Sequence, residues 1–155
     1  MTRFYLAARY SRRAEIHPLI PVFRAYGMDL QARWLHGVHE IVAGTAEDVA
    51  QLRRVQFAVE DYEDVERARF LVLYNPAADH GIVPGGHHVE VGARSSWCST
   101  TYVALALGKP VILVGPPENV FHYHPGVTFI GDVPLDQLPE MLGPLAQDLA
   151  GRAGC

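Results

Sequence analysis

The stretch Phe70-Leu71-Val72-Leu73-Tyr74 is apolar or aromatic at every position, with Arg69 before it and Asn75 after it. A strand with one face in water alternates apolar and polar residues, whereas an unbroken apolar run predicts a strand that is buried on both faces. The run Val111-Ile112-Leu113-Val114 has the same character. Two such runs predict the centre of a parallel sheet that is covered by helices on both sides.

Strand and helix patterns alternate along the rest of the chain. Further strands are predicted at residues 4–8, 28–35 and 127–130, and helices at residues 18–26, 45–68 and 135–149, with another helix that ends at Leu107-Gly108. Pro18 and Pro21 exclude one regular helix from residue 11 to residue 26, and Thr45 is expected to cap the helix that follows it. The alternation predicts a flavodoxin-like or Rossmann-like three-layer α/β sandwich with a five-stranded parallel sheet, formed by residues 1–155 as a single domain.

The composition excludes several classes of protein. The hydrophobic fraction of 49% and the charged fraction of 19% are those of an ordinary globular domain. A net charge of -4 argues against a general nucleic-acid binder, and no apolar run reaches the roughly 18 residues that span a membrane. No signal-peptide pattern precedes the first strand, and two cysteines, Cys98 and Cys155, suit a reducing compartment. We therefore expect a cytoplasmic protein that acts on a small molecule and contacts neither nucleic acid nor membrane.

Ligands of open parallel sheets bind beyond the carboxyl ends of the strands, so the loops that follow the strands are candidate sites. After the first strand come small, aromatic and basic residues, which suit close backbone approach, ring stacking and anion pairing. They are Ala8, Arg9, Tyr10, Ser11 and Arg12. The glycine pattern of a dinucleotide site is absent, and a solvated basic turn is the alternative interpretation. Asn119, after the fourth strand, is a further candidate.

The loop after the third strand is long, and it contains Asp79 and the segment Gly85-Gly86-His87-His88-Val89-Glu90. Paired glycines allow a tight turn or a close approach to a ligand. A glutamate with the reference pKa of roughly 4.3 is ionised at neutral pH, as a nucleophile must be. Glu90 is thus the candidate nucleophile, and the alternative is a carboxylate that stabilises a helix N-terminus by about 1 kcal/mol.

The histidines do not predict a metal site. His87, His88, His122 and His124 are close in sequence, but the chain has no C-x-x-C or H-E-x-x-H pattern. We expect neither a metal nor an organic cofactor. The aromatic residues around His122 are more typical of a ligand wall or a subunit contact.

Three segments resemble the nucleoside 2-deoxyribosyltransferase family, which includes 2'-deoxynucleoside 5'-monophosphate N-glycosidases. They are Phe4-Tyr5-Leu6-Ala7-Ala8-Arg9-Tyr10-Ser11-Arg12-Arg13, Gly85-Gly86-His87-His88-Val89-Glu90-Val91-Gly92 and Ala104-Leu105-Ala106-Leu107-Gly108-Lys109-Pro110-Val111. The similarity runs in the expected order over most of the chain.

This resemblance implies a retaining mechanism at the anomeric carbon of a nucleoside or nucleotide. Glu90 would attack C1' and form a glycosyl ester while the nucleobase leaves, and a second base or water would resolve that ester. Tyr5 matches a tyrosine that orients the nucleophile, and Tyr10 falls where an aromatic ring packs on the base. The resemblance also implies a homodimer or a larger homo-oligomer.

Two departures from the family pattern stand out. Arg69 occupies the position of an aspartate that binds or protonates the leaving base, and a guanidinium cannot serve as a general acid at neutral pH. Asp61, Asp64 and Asp79 are possible substitutes, of which Asp79 is best placed. The interval between Glu90 and Gly108 is about ten residues longer than is typical, which is nearly three helical turns. The extra residues, 94–103, form either a lengthened helix or a loop with a new cap at Ser99 or Thr100, and Arg94 and the serines could bind phosphate.

Three functions remain open at this point. The first is transfer or hydrolysis at an N-glycosidic bond, with transfer favoured by the resemblance and a phosphorylated substrate favoured by the arginines after the first strand. The second is a non-catalytic nucleotide-binding module, which Arg69 makes a serious alternative. The third, a flavodoxin-like redox protein, is weakest because the first loop lacks a Ser/Thr-rich phosphate cradle.

Overall fold

The computed structural model describes residues 1–37, 39, 41–80 and 92–152, with side chains left undescribed for residues 92–97. Five parallel strands form one sheet in the order β2-β1-β3-β4-β5. They are β1 (Thr2–Ala8), β2 (Met28–Leu30), β3 (Phe70–Tyr74), β4 (Val111–Val114) and β5 (Val127–Gly131). This strand order is that of the flavodoxin-like fold, so the predicted fold class is confirmed.

Five α-helices cover the two faces of the sheet. They are α1 (Arg13–Ile16), α2 (Ile20–Ala25), α3 (Glu47–Arg67), α4 (Gly92–Ala106) and α5 (Leu138–Arg152). Helices α2 and α5 contact each other on one side, and α3 and α4 contact each other on the other. None of the helices in the described part of the chain combines the length and the apolar composition that crossing a bilayer requires.

The centre of the sheet is the buried pair of β1 and β3. All five residues of β3 are buried, as its unbroken apolar sequence predicts. Phe4 pairs in register with Phe70, and their rings stack with centroids 5.4 Å apart. Phe23 from α2 meets the Phe4 ring edge-on at 5.1 Å, so aromatic packing joins the sheet to that helical layer.

Three predicted elements are corrected by the structure. The strand predicted at residues 28–35 ends at Leu30, and Arg33–Leu35 is a short 3₁₀ helix. Helix α3 begins two residues after Thr45, whose hydroxyl donates to the Val42 carbonyl instead of capping the helix. Residues before Pro18 were expected to form a loop, but 3₁₀ turns and the short helix α1 run from Tyr10 to Leu19. A 3₁₀ turn tolerates proline where a continuous α-helix does not.

The extra residues 94–103 lie within α4, which favours the lengthened helix over a capped loop. Gly108, with φ of +68°, ends the connection from this helix. Lys109 then donates through Nζ to the carbonyl oxygens of Glu66, at 2.7 Å, and Ala68. Burial lowers the pKa of Lys109, and its ammonium satisfies carbonyls at the end of α3.

Gly115, directly after β4, brings two strand ends into close contact. Its φ is +110°, and a Cβ at this position would lie 2.7 Å from the carbonyl carbon of Asn75 and closer still to the carbonyl oxygen. Its amide donates to the Gly131 carbonyl at 2.9 Å, and the Asn75 amide donates to Val114 at 2.9 Å. A glycine is therefore required where the chain leaves β3 and β4.

We expect Gly115→Ala to destabilise the fold by about 3 kcal/mol or more, because it adds both backbone strain and overlap with Asn75. Urea unfolding followed by circular dichroism measures this loss. Gly151→Ala in α5 is the matched control, since a methyl there meets nothing within 4 Å. An unchanged unfolding midpoint in Gly115→Ala would show that the loop moves aside without cost.

Candidate functional site

The strand order creates a crevice between the loops that follow β1 and β3. From β1 the chain continues to β2, and from β3 it continues to β4, so the two connections diverge from neighbouring strands. This divergence is the position where doubly wound sheets bind ligands. Ala8 is the last residue of β1, the predicted residues Arg9 to Arg12 follow it, and the loop after β3 contains Asp79.

Arg12 and Asp79 span this crevice with two hydrogen bonds. Arg12 Nε lies 2.5 Å from Asp79 Oδ2, and Nη2 lies 2.8 Å from Oδ1. The Asp79 side chain is only 6% exposed. Hydrogen bonding to Asp79 raises the pKa of Arg12, and the guanidinium lies 5.3 Å from the centre of the Tyr74 ring. Both carboxylate oxygens of Asp79 therefore accept from a fixed cation, which makes the two residues one structural unit.

Tyr10 connects the same loop to the segment after β2. Its hydroxyl accepts from Arg13 Nη1 at 2.9 Å and lies 3.3 Å from the Gly37 carbonyl. The Arg13 guanidinium also lies over the Tyr10 ring, 5.2 Å from its centre. Tyr10 thus has a fixed position, with a cation beside its ring, where a base is expected to pack.

Tyr5 belongs to a second polar group, on the α3 side of the sheet. Its hydroxyl donates to Asp61 Oδ1 at 3.1 Å, and His39 Nε2 lies 3.4 Å from Asp61 Oδ2. The His39 ring stacks on Phe57 with centroids 4.1 Å apart. Burial, and then the Asp61 carboxylate, raise the pKa of Tyr5 well above its usual value. Tyr5 is therefore a neutral hydrogen-bond donor at physiological pH.

Of the three candidate carboxylates, Asp61 is the one whose contacts best suit a role in the site. Asp64 accepts from the Arg33 backbone amide at 2.7 Å and from Arg33 Nε at 2.9 Å, which ties α3 to the turn after β2. Asp79 is bound to Arg12. Of the three possible substitutes for the family aspartate, Asp61 alone contacts the predicted catalytic Tyr5. Sequence reasoning did not single out His39, because it lies in an irregular segment with no spacing pattern.

Asn119 has a local structural role after β4. Its Oδ1 accepts from the backbone amides of Phe121, at 3.0 Å, and His122, at 3.3 Å, and so caps the 3₁₀ helix Val120–Tyr123. The predicted ligand contact of Asn119 would have to use the amide nitrogen, which lies 3.2 Å from His122 Nε2.

An open cleft of about 580 Å³ lies beside the crevice, on the side of β2. Its lining includes Arg13, His17, Leu35 and His36. The two imidazole rings meet edge-on with centroids 5.2 Å apart. Within the described ranges, no group of three or more His, Cys, Asp or Glu side chains is arranged to hold a metal ion.

The structure thus places six predicted site residues on the two sides of the crevice: Ala8, Arg9, Tyr10, Ser11, Arg12 and Asp79. Tyr5 lies on the α3 side, and Asn119 follows the neighbouring strand β4. Glu90, Gly85 and Gly86 lie outside the described residues. Helix α4, which begins at Gly92, follows Glu90 by two positions.

We expect Asp79→Asn to lower the free energy of unfolding by about 2 kcal/mol, because it removes the buried anionic partner of Arg12 and leaves the exposed Glu15. Urea unfolding at pH 7 measures this loss. Glu47→Gln removes an exposed partner of Arg54 and is the matched control, for which the midpoint should not change. Equal midpoints for both variants would contradict the assignment of Arg12 and Asp79 as a structural unit.

No protein-family model and no curated protein sequence matches this chain. Several solved structures match its fold, among them the following two. A CMP N-glycosidase from Clostridium botulinum is 18% identical, with a TM-score of 0.51, and the alignment covers 91% of this chain and 98% of that one. A 2-deoxyribosyltransferase from Bacillus psychrosaccharolyticus is 14% identical, with a TM-score of 0.55 and coverage of 89% and 90%. The expected resemblance to deoxyribosyltransferases is therefore confirmed for the fold.

Proposed function

We propose that this protein is an enzyme that cleaves the N-glycosidic bond of nucleosides or nucleotides. The observation that carries this proposal is the position of the first motif of the resemblance, which forms one wall of the crevice between β1 and β3. Two proteins with this fold are a CMP N-glycosidase and a 2-deoxyribosyltransferase, which supports the same chemistry here.

Glu90 is the proposed nucleophile. Its carboxylate forms a bond to C1' while the bond from C1' to the base nitrogen breaks, and the base takes that electron pair and a proton. Water or a second base then attacks C1' and releases Glu90. Because β3 and β4 are parallel neighbours joined through α4, the first turn of that helix starts at the carboxyl edge of the sheet. Glu90 precedes it by two residues.

Tyr5 and Asp61 are proposed to act around this nucleophile. The raised pKa of Tyr5 keeps its hydroxyl protonated. Asp61 accepts the single hydroxyl hydrogen in the structure, so orienting Glu90 requires Tyr5 to donate to Glu90 instead when the substrate is bound. Asp61 takes the place of the family aspartate toward the leaving base, because it contacts Tyr5 while Arg69 is exposed. A guanidinium at position 69 has no proton to give at neutral pH.

The principal alternative is a 2'-deoxynucleoside 5'-monophosphate N-glycosidase. The CMP N-glycosidase with this fold supports hydrolysis of a phosphorylated substrate. Arg9 is exposed beside the crevice and suits a 5'-phosphate, whereas Arg12 is already bound to Asp79. A non-catalytic nucleotide-binding module is the remaining alternative.

The deciding experiment incubates the protein with a panel of 2'-deoxynucleosides, ribonucleosides and their 5'-monophosphates, with and without a millimolar second base. Chromatography then separates new nucleoside, free base and free sugar. Transfer yields new nucleoside because a held acceptor competes with water at about 55 M. Hydrolysis products alone, with free base and sugar 5-phosphate released faster from the monophosphates than base and free sugar from the nucleosides, would establish the hydrolase. Binding without turnover would leave the non-catalytic module.

Glu90→Gln should lower the rate of base release by at least about 10³-fold while the fold is retained, because an amide is a much weaker nucleophile than a carboxylate. Glu140→Gln, on the exposed surface of α5, is the control. Glu118→Gln would not serve, because Glu118 makes a buried contact with His80. Formate or azide should partly restore the activity of Glu90→Ala. Turnover at the wild-type rate in Glu90→Gln, after deamidation is excluded, would remove Glu90 from the mechanism.

The protein is also proposed to form at least a homodimer. The sequence of residues 94–102 and 121–123 predicts exposed apolar surface for a subunit contact. Within these segments, the rings of Tyr102 and Phe121 are exposed and in contact, with centroids 4.9 Å apart. Helix α3 adds a second apolar surface that the sequence analysis did not identify: Leu52, Val55, Val59 and Tyr62, all at least 46% exposed. Their spacing places them on one face of the helix.

Light scattering at micromolar concentration should therefore give at least twice the chain mass of 17.1 kDa. The double variant Leu52→Glu and Val59→Glu should dissociate an assembly that uses the α3 face, since burying unpaired carboxylates is costly. Phe121→Ser tests the other surface in the same way. A mass of 17.1 kDa for the wild type would contradict the proposal.

A further inference from the structure

Four polar side chains form a buried cluster at the carboxyl ends of β3 and β4: Asn75, His80, Glu118 and His122. Asn75 and His122 are fully buried, and the side chains of His80 and Glu118 are each 9% exposed. Buried groups that can carry charge are costly unless they are paired. None of the four has a role in the reaction proposed above.

His80 lies between two oxygen atoms. Its Nδ1 is 3.1 Å from Glu118 Oε1, and its Nε2 is 3.1 Å from the backbone carbonyl oxygen of Asn75. The second carboxylate oxygen, Oε2, accepts from Asn75 Nδ2 at 3.0 Å. The imidazole therefore joins the loop after β3 to the loop after β4.

The two contacts determine where the protons lie. A carbonyl oxygen only accepts, so Nε2 carries a hydrogen. Nδ1 faces Glu118 Oε1 at ion-pair distance, where a second proton on the ring would pair with the carboxylate. Imidazole, with a reference pKa of roughly 6.5, is a stronger base than a carboxylate at roughly 4.3, so the ring is the better holder of that proton. The neighbouring His122 accepts a hydrogen bond from the Glu118 backbone amide through Nδ1 at 3.0 Å, and burial followed by the charge of His80 lowers the pKa of His122.

We propose that His80 is held as an imidazolium between Glu118 and the Asn75 carbonyl, and that it is a positioning residue for Asp79. Asp79 directly precedes His80 and binds Arg12 across the crevice. Both imidazole nitrogens are occupied, so His80 acts through the loop and does not contact a ligand. The functional meaning of this arrangement rests on the proposed function, since it assumes that the crevice is the substrate site.

The charged groups around His80 set the pH dependence of its interaction with Glu118. Glu118 faces it from the loop after β4, His122 from the 3₁₀ helix Val120–Tyr123, and the pair of Asp79 and Arg12 from the crevice. The interaction of His80 with Glu118 is present while the imidazole is charged. It is lost as rising pH removes that proton, which leaves a buried carboxylate with a neutral ring.

The first measurement uses protein labelled with ¹⁵N at histidine, and it needs no substrate. Nitrogen chemical shifts at pH 7.5 should show a proton on both nitrogens of His80, identified by the signals missing from His80→Gln. Glu118→Gln should convert this ring to the neutral form. A neutral His80 at pH 7.5 in the wild type would overturn the proposal, and it needs only the assignment from His80→Gln and no folded Glu118 variant.

The second measurement tests positioning through Arg12. Solvent exchange of the Arg12 Nε hydrogen, which Asp79 accepts, should be at least about tenfold faster in Glu118→Gln than in the wild type. His17→Gln, an exposed histidine next to the same loop, is the matched control and should exchange at the wild-type rate. Unchanged exchange in Glu118→Gln would show that the buried pair does not hold Asp79.

Enzyme kinetics provide a separate test of the positioning role. If the wild type cleaves nucleosides, Glu118→Gln should raise KM more than it lowers kcat, because positioning affects how the substrate is held. An unchanged KM alongside faster Arg12 exchange would overturn the functional part of the proposal. An inactive wild type with an imidazolium at His80 would reject the proposed function and leave the positioning inference supported.

Discussion

The contact between Arg12 and Asp79 joins two loops that the strand order forces apart. The chain leaves β1 and β3 in different directions, which opens a crevice between the loops that follow them. The bidentate ion pair supplies a connection there. Next to Arg12 in the chain, Arg13 contacts Tyr10, whose hydroxyl reaches Gly37, and next to Asp79, His80 contacts Glu118. Polar contacts therefore occur along the carboxyl edge of the sheet from the segment after β2 to the loop after β4.

These contacts decide which charges at the crevice can meet a ligand. Arg12 shares its charge with Asp79 and Glu15, and Arg13 is held by Tyr10 and the Gly37 carbonyl, so both cations have fixed directions. Of the arginines described in the loop after β1, Arg12 binds an anionic ligand only in competition with Asp79, whereas Arg9 is exposed. On the α3 side, Tyr5 and Asp61 form a second, partly buried pair. In the proposed reaction, this pair would lie near the reacting bond and the cations near a phosphate.

Sequence reasoning succeeded where the determining interactions are local. The runs at residues 70–74 and 111–114 are buried strands because every position is apolar, and Gly27 and Gly108 end their segments with positive φ. It failed where distant residues decide the structure. The second strand stops early because Arg33 binds Asp64 and Trp34 donates to the Leu6 carbonyl, at sequence separations of 31 and 28. The contacts of Asp61 with Tyr5 and of His80 with Glu118 could not be predicted for the same reason, because the partners are distant in sequence. The position of the crevice, in contrast, follows from the strand order alone.

Lys109 forms hydrogen bonds with carbonyl oxygens at the C-terminus of α3, although it lies far from that helix in sequence. The carbonyls of Glu66 and Ala68 receive their hydrogen bonds from a residue 43 and 41 positions later, at the entrance to β4. The last turn of α3 can be completed only after the fourth strand has joined the sheet. That turn therefore belongs to the same cooperative unit as β4 during opening and closing, and the remainder of α3 is free to form earlier.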